Sequence, residues 1–405
     1  MREKLTYKFG GSCLSNDADY EDAARFLLED SKDAVKPVFV VVSAQKGETD
    51  RLLKEADNLF IDPWERVDHV ARNGEFVSAE KMAGALNWAG GLLPGAEVLY
   101  TQELGIMAEG EDPFNGNLVG IKDDLSERIY SARFIIVPGY VGVHKTKGWN
   151  GTNALIALGR GASDLIAVEV ARATRSKLKL VKSAQSIYSV SPDFVDNPKP
   201  ITHMTPDQAL RVLEYIRSDE QFIMANAVKH AQRKNVALEF CSMSNPEEFS
   251  RIDSIFRPEE PELFRALPVK ENVALIRMEL DTKYVSWLYE SLHEHKIPFN
   301  DGGSEESNGK SRIYIFAEAE SAKPIIQKAG YLSRNVEFKT GSLITLIDTS
   351  LDPEGNHFMR VYNALNGISV LHSLSSGVIM HIFVSLEDTK KTVKALAKEF
   401  ELIAP

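Results

Sequence analysis

The stretch Pro37-Val38-Phe39-Val40-Val41-Val42-Ser43 decides the fold class of this chain. A valine or phenylalanine occupies every position between the proline and the serine, which predicts a strand buried on both of its faces. Strands of this kind form parallel sheets, and helices cover the two sides of such a sheet. The sequence on either side should therefore alternate between strands and helices.

The first 240 residues show this alternation. Short apolar runs predict strands, and apolar residues that share one helical face predict helices. The predicted strands are residues 5–9, 37–43, 96–100, 134–137, 178–181 and 237–241. The predicted helices are residues 19–28, 48–59, 68–88, 126–132, 163–174 and 205–216. This order predicts a mostly parallel sheet in an α/β sandwich.

The remaining sequence has a different organisation. Pro246, Pro258, Pro261 and Pro268 punctuate an acidic segment, which predicts a connection between domains. Beyond it, the order strand, helix, strand, strand, helix, strand occurs twice, which predicts two ferredoxin-like units of about 65 residues. The first copy comprises residues 272–280, 283–295, 297–299, 312–316, 322–329 and 336–338, and the second comprises 343–347, 357–365, 368–371, 378–384 and 387–400.

Length, charge and cysteine content limit the possible functions. The 405 residues are enough for two to three domains. A net charge of −11 argues against a general nucleic-acid or anionic-membrane binder. Cys13 and Cys241 are too few for a disulfide framework, which favours a reducing, cytoplasmic compartment. The sequence has neither an apolar signal-peptide core nor an apolar run of roughly 18 residues, so we expect no membrane partner.

The motif Tyr7-Lys8-Phe9-Gly10-Gly11-Ser12 ends the first predicted strand. Paired glycines allow backbone N–H groups to approach an anion closely, and a nearby ammonium group would complete a phosphate-binding site. The alternative interpretation is a tight turn without a ligand.

A second motif, Leu158-Gly159-Arg160-Gly161-Ala162-Ser163-Asp164, precedes a predicted apolar helix. Arg160 could bind a carboxylate through two parallel hydrogen bonds, and Ser163 or Asp164 could cap the helix while facing the same crevice. The alternative is a solvated glycine-rich loop with an ordinary helix cap.

Together these motifs resemble the aspartokinase branch of the amino-acid kinase family. That family has a Lys-Phe-Gly-Gly-Thr start, a strand ending Val-Ser-Ala, a Gly-Glu on a helix, then Gly-Phe-x-Gly, Leu-Gly-Arg-Gly-Gly-Ser-Asp and a pair of ACT regulatory domains. The corresponding positions here are residues 8–12, 42–44 with 47 and 49, 74–75, 139–142 and 158–164, and residues 368–384 are similar to a second ACT unit.

The resemblance implies an amino-acid-kinase three-layer sandwich over residues 1–245, a connection over 246–268, and ACT-like domains over 269–340 and 341–405. It implies ATP-dependent phosphorylation of the β-carboxylate of L-aspartate, with Mg²⁺, as the first step of aspartate-family amino-acid biosynthesis. It also implies an amino-acid effector at the ACT units and at least a homodimer.

The resemblance assigns roles to individual positions. Lys8 would contact the transferring phosphoryl group, Asp164 would orient Lys8 or the reacting groups, and Glu75 and Arg160 would bind the ammonium and α-carboxylate groups of aspartate. Since the substrate's β-carboxylate is already ionised at neutral pH, no general base is required. The other residues implied at the aspartate site are Ser43, Thr49, Tyr140 and Ser163, and those implied at the nucleotide site are Gly10, Gly11, Ser12, Ser183 and Tyr188.

The nucleotide half departs from the family pattern Thr-Asp-Val-x-Gly-Ile/Val-Tyr-x-x-Asp-Pro-Arg. Serines at 183 and 191 replace acidic residues, Ser186 replaces a glycine and Asp193 replaces the arginine, while residues 219–225 lack an expected lysine. We therefore expect ATP to bind weakly, in the millimolar range near about −4 kcal/mol. The residues that could restore the missing charge are Lys179, Lys182 and Lys229.

Three functions remain open at this point: an active aspartokinase, a kinase of the same fold with another acidic amino acid or another donor, and a non-catalytic amino-acid sensor. Nucleotide titration distinguishes the sensor from the two kinases, and a substrate panel distinguishes the kinases from each other. The segment 280–284 departs from the family's effector loop, so lysine or threonine inhibition is not predicted.

Overall fold

The computed structural model describes residues 2–91, 95–121, 124–126, 130–149, 152–159, 161–183, 187–216, 222–254, 264–333, 335–349 and 356–404. The chain divides into two compact units. The first comprises Met1–Ile187, Ile201–Leu210 and Phe222–Phe256, and the second comprises Tyr188–Pro200, Arg211–Gln221 and Arg257–Pro405. No helix within the described part of the chain has the length and apolar character that a bilayer crossing requires.

The first unit alternates strands and helices. Its strands are β1 (Lys4–Phe9), β2 (Val35–Val42), β3 (Ala96–Val98), β4 (Ile106–Glu109), β5 (Asn117–Ile121), β6 (Phe134–Pro138), β7 (Val141–Trp149), β8 (Thr152–Ala157), β9 (Lys177–Val181), β10 (His203–Met204), β11 (Leu238–Cys241) and β12 (Ser250–Ile252). Its helices are α1 (Asp17–Asp30), α2 (Glu48–Leu59), α3 (Pro63–Ala71), α4 (Val77–Gly90), α5 (Thr101–Leu104), α6 (Ala162–Thr174) and α8 (Ala225–Lys234), and α7 (Pro206–Glu214) begins in this unit.

The main sheet has the order β10-β12-β11-β9-β1-β2-β6-β3, and its described pairs are parallel except for β11 with β12. Val38, Val40 and Val42 pack on one face with apolar residues of α1 and α4. α6 packs against β1, β2 and β9. The predicted three-layer α/β sandwich with a mostly parallel sheet is confirmed.

A second, four-stranded sheet with the order β5-β4-β7-β8 was not predicted from the sequence. The predicted helix at residues 126–132 is wrong where the structure describes it, because Ser126 lies in a turn and residues 130–132 are not helical. Residues 127–129 lie outside the described part. The Asp124 carboxylate accepts a hydrogen bond of 2.9 Å from the Ser126 N–H, a local turn that competes with helix formation.

The predicted helix at 68–88 is also subdivided. α3 and α4 are joined by a π-helical turn, Arg72–Phe76. This turn contains Gly74, where an added methyl group would lie 3.3 Å from Ala44 Cβ and 3.4 Å from Leu52 Cδ1. The close approach brings the loop that follows β2 and the start of α2 next to Glu75.

The second unit contains one antiparallel sheet with the order β15-β16-β14-β17-β19-β18, and β13 pairs with β17. Its strands are β13 (Arg265–Ala266), β14 (Val269–Asp281), β15 (Asn300–Ser307), β16 (Lys310–Glu318), β17 (Val336–Asp348), β18 (Val370–Ser376) and β19 (Ile379–Val384). Its helices are α9 (Val285–Glu294), α10 (Ala319–Gly330), α11 (Asn356–Ala364) and α12 (Thr389–Glu399).

The order of elements agrees with two successive ferredoxin-like repeats that share β17, which runs through the predicted boundary at residues 340–341. The predicted strand at 297–299 is wrong. Ile297 N–H closes the end of α9 by a hydrogen bond of 2.9 Å to Leu292 O, and Ile297 and Phe299 pack in the apolar core. The strand therefore begins at Asn300.

Candidate active site

The carboxyl ends of the central strands form the base of the candidate site. Phe9 pairs in register with Val42 and with Val181, and Val42 pairs with Pro138. The residues that follow these positions therefore emerge at one edge of the sheet. The chain order reverses at β1, because β2 lies on one side of it and β9 on the other. In open α/β sheets, ligands bind outside the carboxyl ends at such a reversal.

Lys8 and Asp164 meet at this edge. Lys8 is buried, and its Nζ lies 2.6 Å from Oδ1 of Asp164. Lys8 belongs to β1, whereas Asp164 lies in the first turn of α6 after the left-handed Gly161. Since α6 packs against β1, the fold joins two residues that are far apart in the sequence. Both were predicted as catalytic residues.

A second ammonium group approaches the same carboxylate. Lys182 directly follows β9, and its Nζ lies 3.7 Å from Oδ2 of Asp164. Burial acts to raise the pKa of Asp164, but Lys182 and Lys8 together hold this pKa below its usual value. Burial and the positive charge of Lys8 lower the pKa of Lys182 to about 8, against the attraction of Asp164.

Gly10 and Gly11 form a short 3-10 turn after β1. Cys13 N–H donates to Gly10 O at 3.0 Å, and Leu14 N–H donates to Gly11 O at 3.1 Å. An added methyl group on Gly11 would lie 2.9 Å from Ala44 O, so glycine is needed for this close contact. The tight-turn interpretation and the anion-binding interpretation are compatible, because Lys8 Nζ would lie 3.4 Å from a methyl group on Gly10.

Glu75 lies in the π-helical turn and is 3% exposed. Ala44 N–H donates to its Oε1 at 3.4 Å, and within the described part of the chain Oε2 has no hydrogen-bond partner. Burial raises the pKa of Glu75 to about 8. A buried carboxyl with one unpartnered oxygen is suited to a ligand that brings a positive charge.

The other predicted aspartate-binding residues lie in loops that follow strands and in the first turns of α2 and α6. Gly139 packs so closely on Ser163 that a methyl group there would overlap the serine hydroxyl. Tyr140 adopts a positive φ of 71°, and burial together with the charge of Glu75 raises its pKa. Ser43 O accepts a hydrogen bond of 2.7 Å from the Ser78 hydroxyl. Thr49 lies in the first turn of α2.

Some of the residues singled out from the sequence are not joined to this group by a described contact. Arg160 lies outside the described residues, and so does Ser186. Ser183 follows Lys182 and is exposed, and the Ser12 side chain is also exposed. Tyr188 belongs to the second unit, where its main chain pairs with Pro200.

The Ala44 N–H was not predicted at the site, and Lys182 was named from the sequence only as one of three lysines that could restore positive charge, without a position. The side chain of Ala44 gives no indication that its backbone N–H is a donor to the site. This contact can be recognised only when the position of the π-helical turn that contains Glu75 is known. Lys182 is the first polar residue after the apolar end of a strand. Its proximity to Lys8 follows from the pairing of β9 with β1, which sequence spacing does not specify.

The site and the sheet define an α/β protein whose central carboxyl edge carries two lysine ammonium groups, together with a buried carboxyl that has one oxygen without a hydrogen-bond partner among the described residues. The model of the amino acid kinase family matches residues 4–240. The chain belongs to the amino acid kinase family.

Aspartokinases are among the relatives of this chain. The aspartokinase of Bacillus sp. (strain MGA3) is 22% identical over 416 residues, covering 98% of this chain and 97% of that protein. The aspartokinase of Helicobacter pylori strain J99 is 26% identical over 283 residues, covering 68% of this chain and 66% of that protein. The resemblance to aspartokinases that the ordered motifs predicted is confirmed.

Solved structures show the same fold. Escherichia coli aspartokinase III in complex with aspartate and ADP matches with a TM-score of 0.73 at 17% identity, covering 98% of this chain and 100% of that chain. Clostridium acetobutylicum aspartate kinase matches with a TM-score of 0.73 at 16% identity, covering 98% and 99%.

Proposed function

We propose that this chain phosphorylates the β-carboxylate of L-aspartate with ATP and forms β-aspartyl phosphate. The observation that carries the proposal is the connection of Lys8 to Glu75 through Ala44. Gly11, three residues after Lys8, packs on the Ala44 carbonyl, and the Ala44 N–H points at the Glu75 carboxyl. A phosphoryl-binding turn and an ammonium-binding carboxyl thus contact one residue.

The reaction requires positioning and charge neutralisation more than proton transfer. A β-carboxylate oxygen attacks the γ-phosphorus, and the bond from that phosphorus to the bridging oxygen breaks with its electron pair leaving on ADP. No proton moves, because the carboxylate is ionised at neutral pH. Lys8 would neutralise charge on the transferring group, while Asp164 holds its ammonium in place.

Substrate recognition follows from the charges of aspartate. Its ammonium would pair with Glu75, and Arg160 is proposed to bind its α-carboxylate. Ser43, Thr49, Tyr140 and Ser163 are proposed to line the same crevice. With both α-groups held, the β-carboxylate remains as the nucleophile.

The predicted Mg²⁺ has no ready-made cage in the described residues, where no group of three or more His, Cys, Asp or Glu side chains could hold a metal ion. Asp164 is already paired with two ammonium groups. We assign no step to Mg²⁺. The nucleotide phosphates are its natural ligands, since Mg²⁺ in kinases is commonly held by substrate phosphates with few carboxylates.

A hydroxamate assay with ATP, Mg²⁺ and L-aspartate tests the activity, because hydroxylamine traps the acyl phosphate. We expect product with L-aspartate and little with L-glutamate. Lys8→Met should lower turnover by about 10² to 10³, whereas Lys229→Met, a change on the exposed part of α8, should leave it unchanged. Product with neither amino acid, or near-normal turnover of Lys8→Met, would contradict the proposal.

We also propose that the ACT-like repeats bind an amino-acid effector and pair in a homodimer, with the domain boundaries predicted from the sequence. Escherichia coli aspartokinase III has been solved in complex with lysine and aspartate, which supports an amino-acid effector of some kind here. Calorimetric titration of the full chain with the aspartate-family amino acids would test this.

A further inference from the structure

Three lysines could supply the positive charge that the nucleotide half lacks, and the structure separates them. Lys179 lies within β9, and its Nζ is 2.7 Å from Oδ2 of Asp30. Lys229 lies exposed on α8. Of the three, Lys182 is the one whose ammonium group approaches the Lys8–Asp164 pair, so it is the candidate to supply this charge.

The main chain fixes Lys182 at the edge of the sheet. Val181 pairs with Phe9, so Lys182 and Gly10 occupy equivalent positions after adjacent strands. The Lys182 N–H donates to Cys241 O at 2.9 Å, which continues the parallel ladder by one more hydrogen bond. The side chain starts beside the glycine turn and is 21% exposed, so a ligand in the crevice can reach it.

The two ammonium groups take opposite oxygens of one carboxylate. Lys8 Nζ lies 2.6 Å from Oδ1 of Asp164, and Lys182 Nζ lies 3.7 Å from Oδ2. Asp164 is buried. Among the described residues, this arrangement leaves one positive charge in excess around a buried carboxylate.

Excess buried charge is unfavourable unless a counter-charge arrives. The groups that act on the Lys182 ammonium are Asp164, Lys8 and the thiol of Cys13. Burial raises the pKa of that thiol, so it does not provide a thiolate at neutral pH. A polyanion entering the crevice would supply the missing negative charge.

We propose that Lys182 is a phosphate-binding residue, which together with Lys8 holds the phosphates of the nucleotide donor while Asp164 sets the position of both ammonium groups. Lys182 forms no bond to phosphorus and transfers no proton. It would supply a positive charge directly after β9, whereas residues 219–225 and position 193 carry no positive charge. The nature of the donor rests on the proposed function, but the assignment of Lys182 to phosphate does not.

Calorimetry on the full chain tests the assignment with two probes, MgATP and inorganic tripolyphosphate. Lys182→Met should weaken both by about tenfold or more, the loss expected for a charge-assisted hydrogen bond. Lys182→Arg should retain most of the affinity, and Lys229→Met should bind as the wild type. Affinity for L-aspartate without nucleotide should remain within about twofold of wild type in all three, since the ammonium and α-carboxylate sites are separate.

Wild-type affinity of Lys182→Met for both probes would overturn the assignment, as would a wild type that binds neither. Thermal unfolding controls for folding, and Lys182→Gln serves if the methionine variant unfolds. If aspartate is not phosphorylated but Lys182→Met still weakens both probes, the proposed function fails and the assignment stands. If aspartate is phosphorylated and Lys182→Met binds both probes with wild-type affinity, the proposed function stands and the assignment of Lys182 fails.

Discussion

Glu75 and Glu169 are both buried in the first unit, with 3% and 0% of their surfaces exposed, but their carboxyl groups ionise in opposite ways. Burial raises the pKa of Glu75 to about 8. Burial acts in the same direction on Glu169, yet hydrogen bonds from His230 and Arg172 overcome it and lower the pKa to about 2. The hydrogen-bond partners of Glu169 therefore account for the opposite directions of the two pKa shifts.

Glu169 sits where β5, α6 and α8 meet. Its Oε1 accepts from His230 Nε2 at 2.8 Å and lies 3.5 Å from Lys234 Nζ, while its Oε2 accepts from Arg172 Nε at 2.7 Å. The Ile121 N–H also points at Oε2, at 3.5 Å. This carboxylate is satisfied by the fold itself and stabilises the packing of α6.

Within the described residues, the donors to the Glu75 carboxyl are backbone N–H groups, its own and that of Ala44 at 3.4 Å, and Oε2 is left without a hydrogen-bond partner. If Glu75 had a purely structural role, we would expect a cationic side chain beside its carboxyl, as Arg172 lies beside Glu169. Leaving the carboxyl incomplete lowers the stability of the free protein, and a ligand ammonium would recover this cost. The contrast with Glu169, whose carboxylate has its donors within the fold, supports the proposal that Glu75 binds a ligand ammonium.

The largest effect on stability should come from removing the negative charge of Glu169. Glu169→Gln leaves Arg172, His230 and Lys234 without their carboxylate, so the free energy of unfolding should fall by about 3 kcal/mol. Urea denaturation followed by circular dichroism measures this. The matched control Glu21→Gln, half-exposed and 3.8 Å from Arg25, should change stability by less than about 1 kcal/mol. Equal effects of the two changes would remove the scaffold role.

The same substitution at Glu75 should act on binding instead of folding. Glu75→Gln removes the counter-charge of the ammonium, so L-aspartate affinity should fall by at least about 2 kcal/mol, or roughly 30-fold. The melting temperature should not fall, because a neutral amide resembles the protonated carboxyl of the free protein. Calorimetry with L-aspartate and with MgATP separates the two sites. Unchanged aspartate affinity would contradict the ammonium assignment.

The sequence predicts those parts of the fold that local apolar patterns determine. Strands such as β2 and β6 were found because they are continuous apolar runs. β15 was missed because Asn300–Ser307 contains asparagine, aspartate, glycine, serine and glutamate, and its extended state is imposed by pairing with β16. The sheet of β4, β5, β7 and β8 was also missed, because strands such as β5 (Asn-Leu-Val-Gly-Ile) and β7 (Val-Gly-Val-His-Lys-Thr-Lys-Gly-Trp) interrupt their apolar residues with glycine and polar residues.

The site was predictable where motifs carried it. The glycine motif with Lys8, the Gly-Glu pair and Asp164 were identified as candidates from their order along the chain. The contact of Lys182 with Asp164 was not, because it depends on β9 pairing beside β1 and on α6 packing over both. Nor does any sequence pattern show that Glu75 lacks a cation while Glu169 has several.

The pH dependence of L-aspartate binding tests the ionisation of Glu75 directly. The pKa of Glu75 is about 8, so the fraction of ionised carboxylate falls up to tenfold for each pH unit below 8. Aspartate affinity should therefore weaken by as much as about 1.4 kcal/mol per unit as the pH is lowered from 8 towards 6.5. Glu75→Gln should show a flat profile over that range. A flat wild-type profile would mean that the carboxyl does not meet the ammonium.

The smallest effect should come from the glycine that covers the complete carboxylate. Gly120 has a φ of +128°, and an added methyl group would lie 3.3 Å from Oε2 of Glu169. Gly120→Ala therefore imposes backbone strain, and its methyl group would crowd a carboxylate whose donors are fixed. The free energy of unfolding should fall by about 1 to 2 kcal/mol. Gly84 in α4 is the control, because within the described part of the chain nothing lies within 4 Å of its added methyl group, and Gly84→Ala should stabilise by about 0.5 to 1 kcal/mol. Urea denaturation compares the two variants. If both behave alike, the carboxylate network tolerates displacement, and Glu169 is less rigidly held than its four contacts indicate.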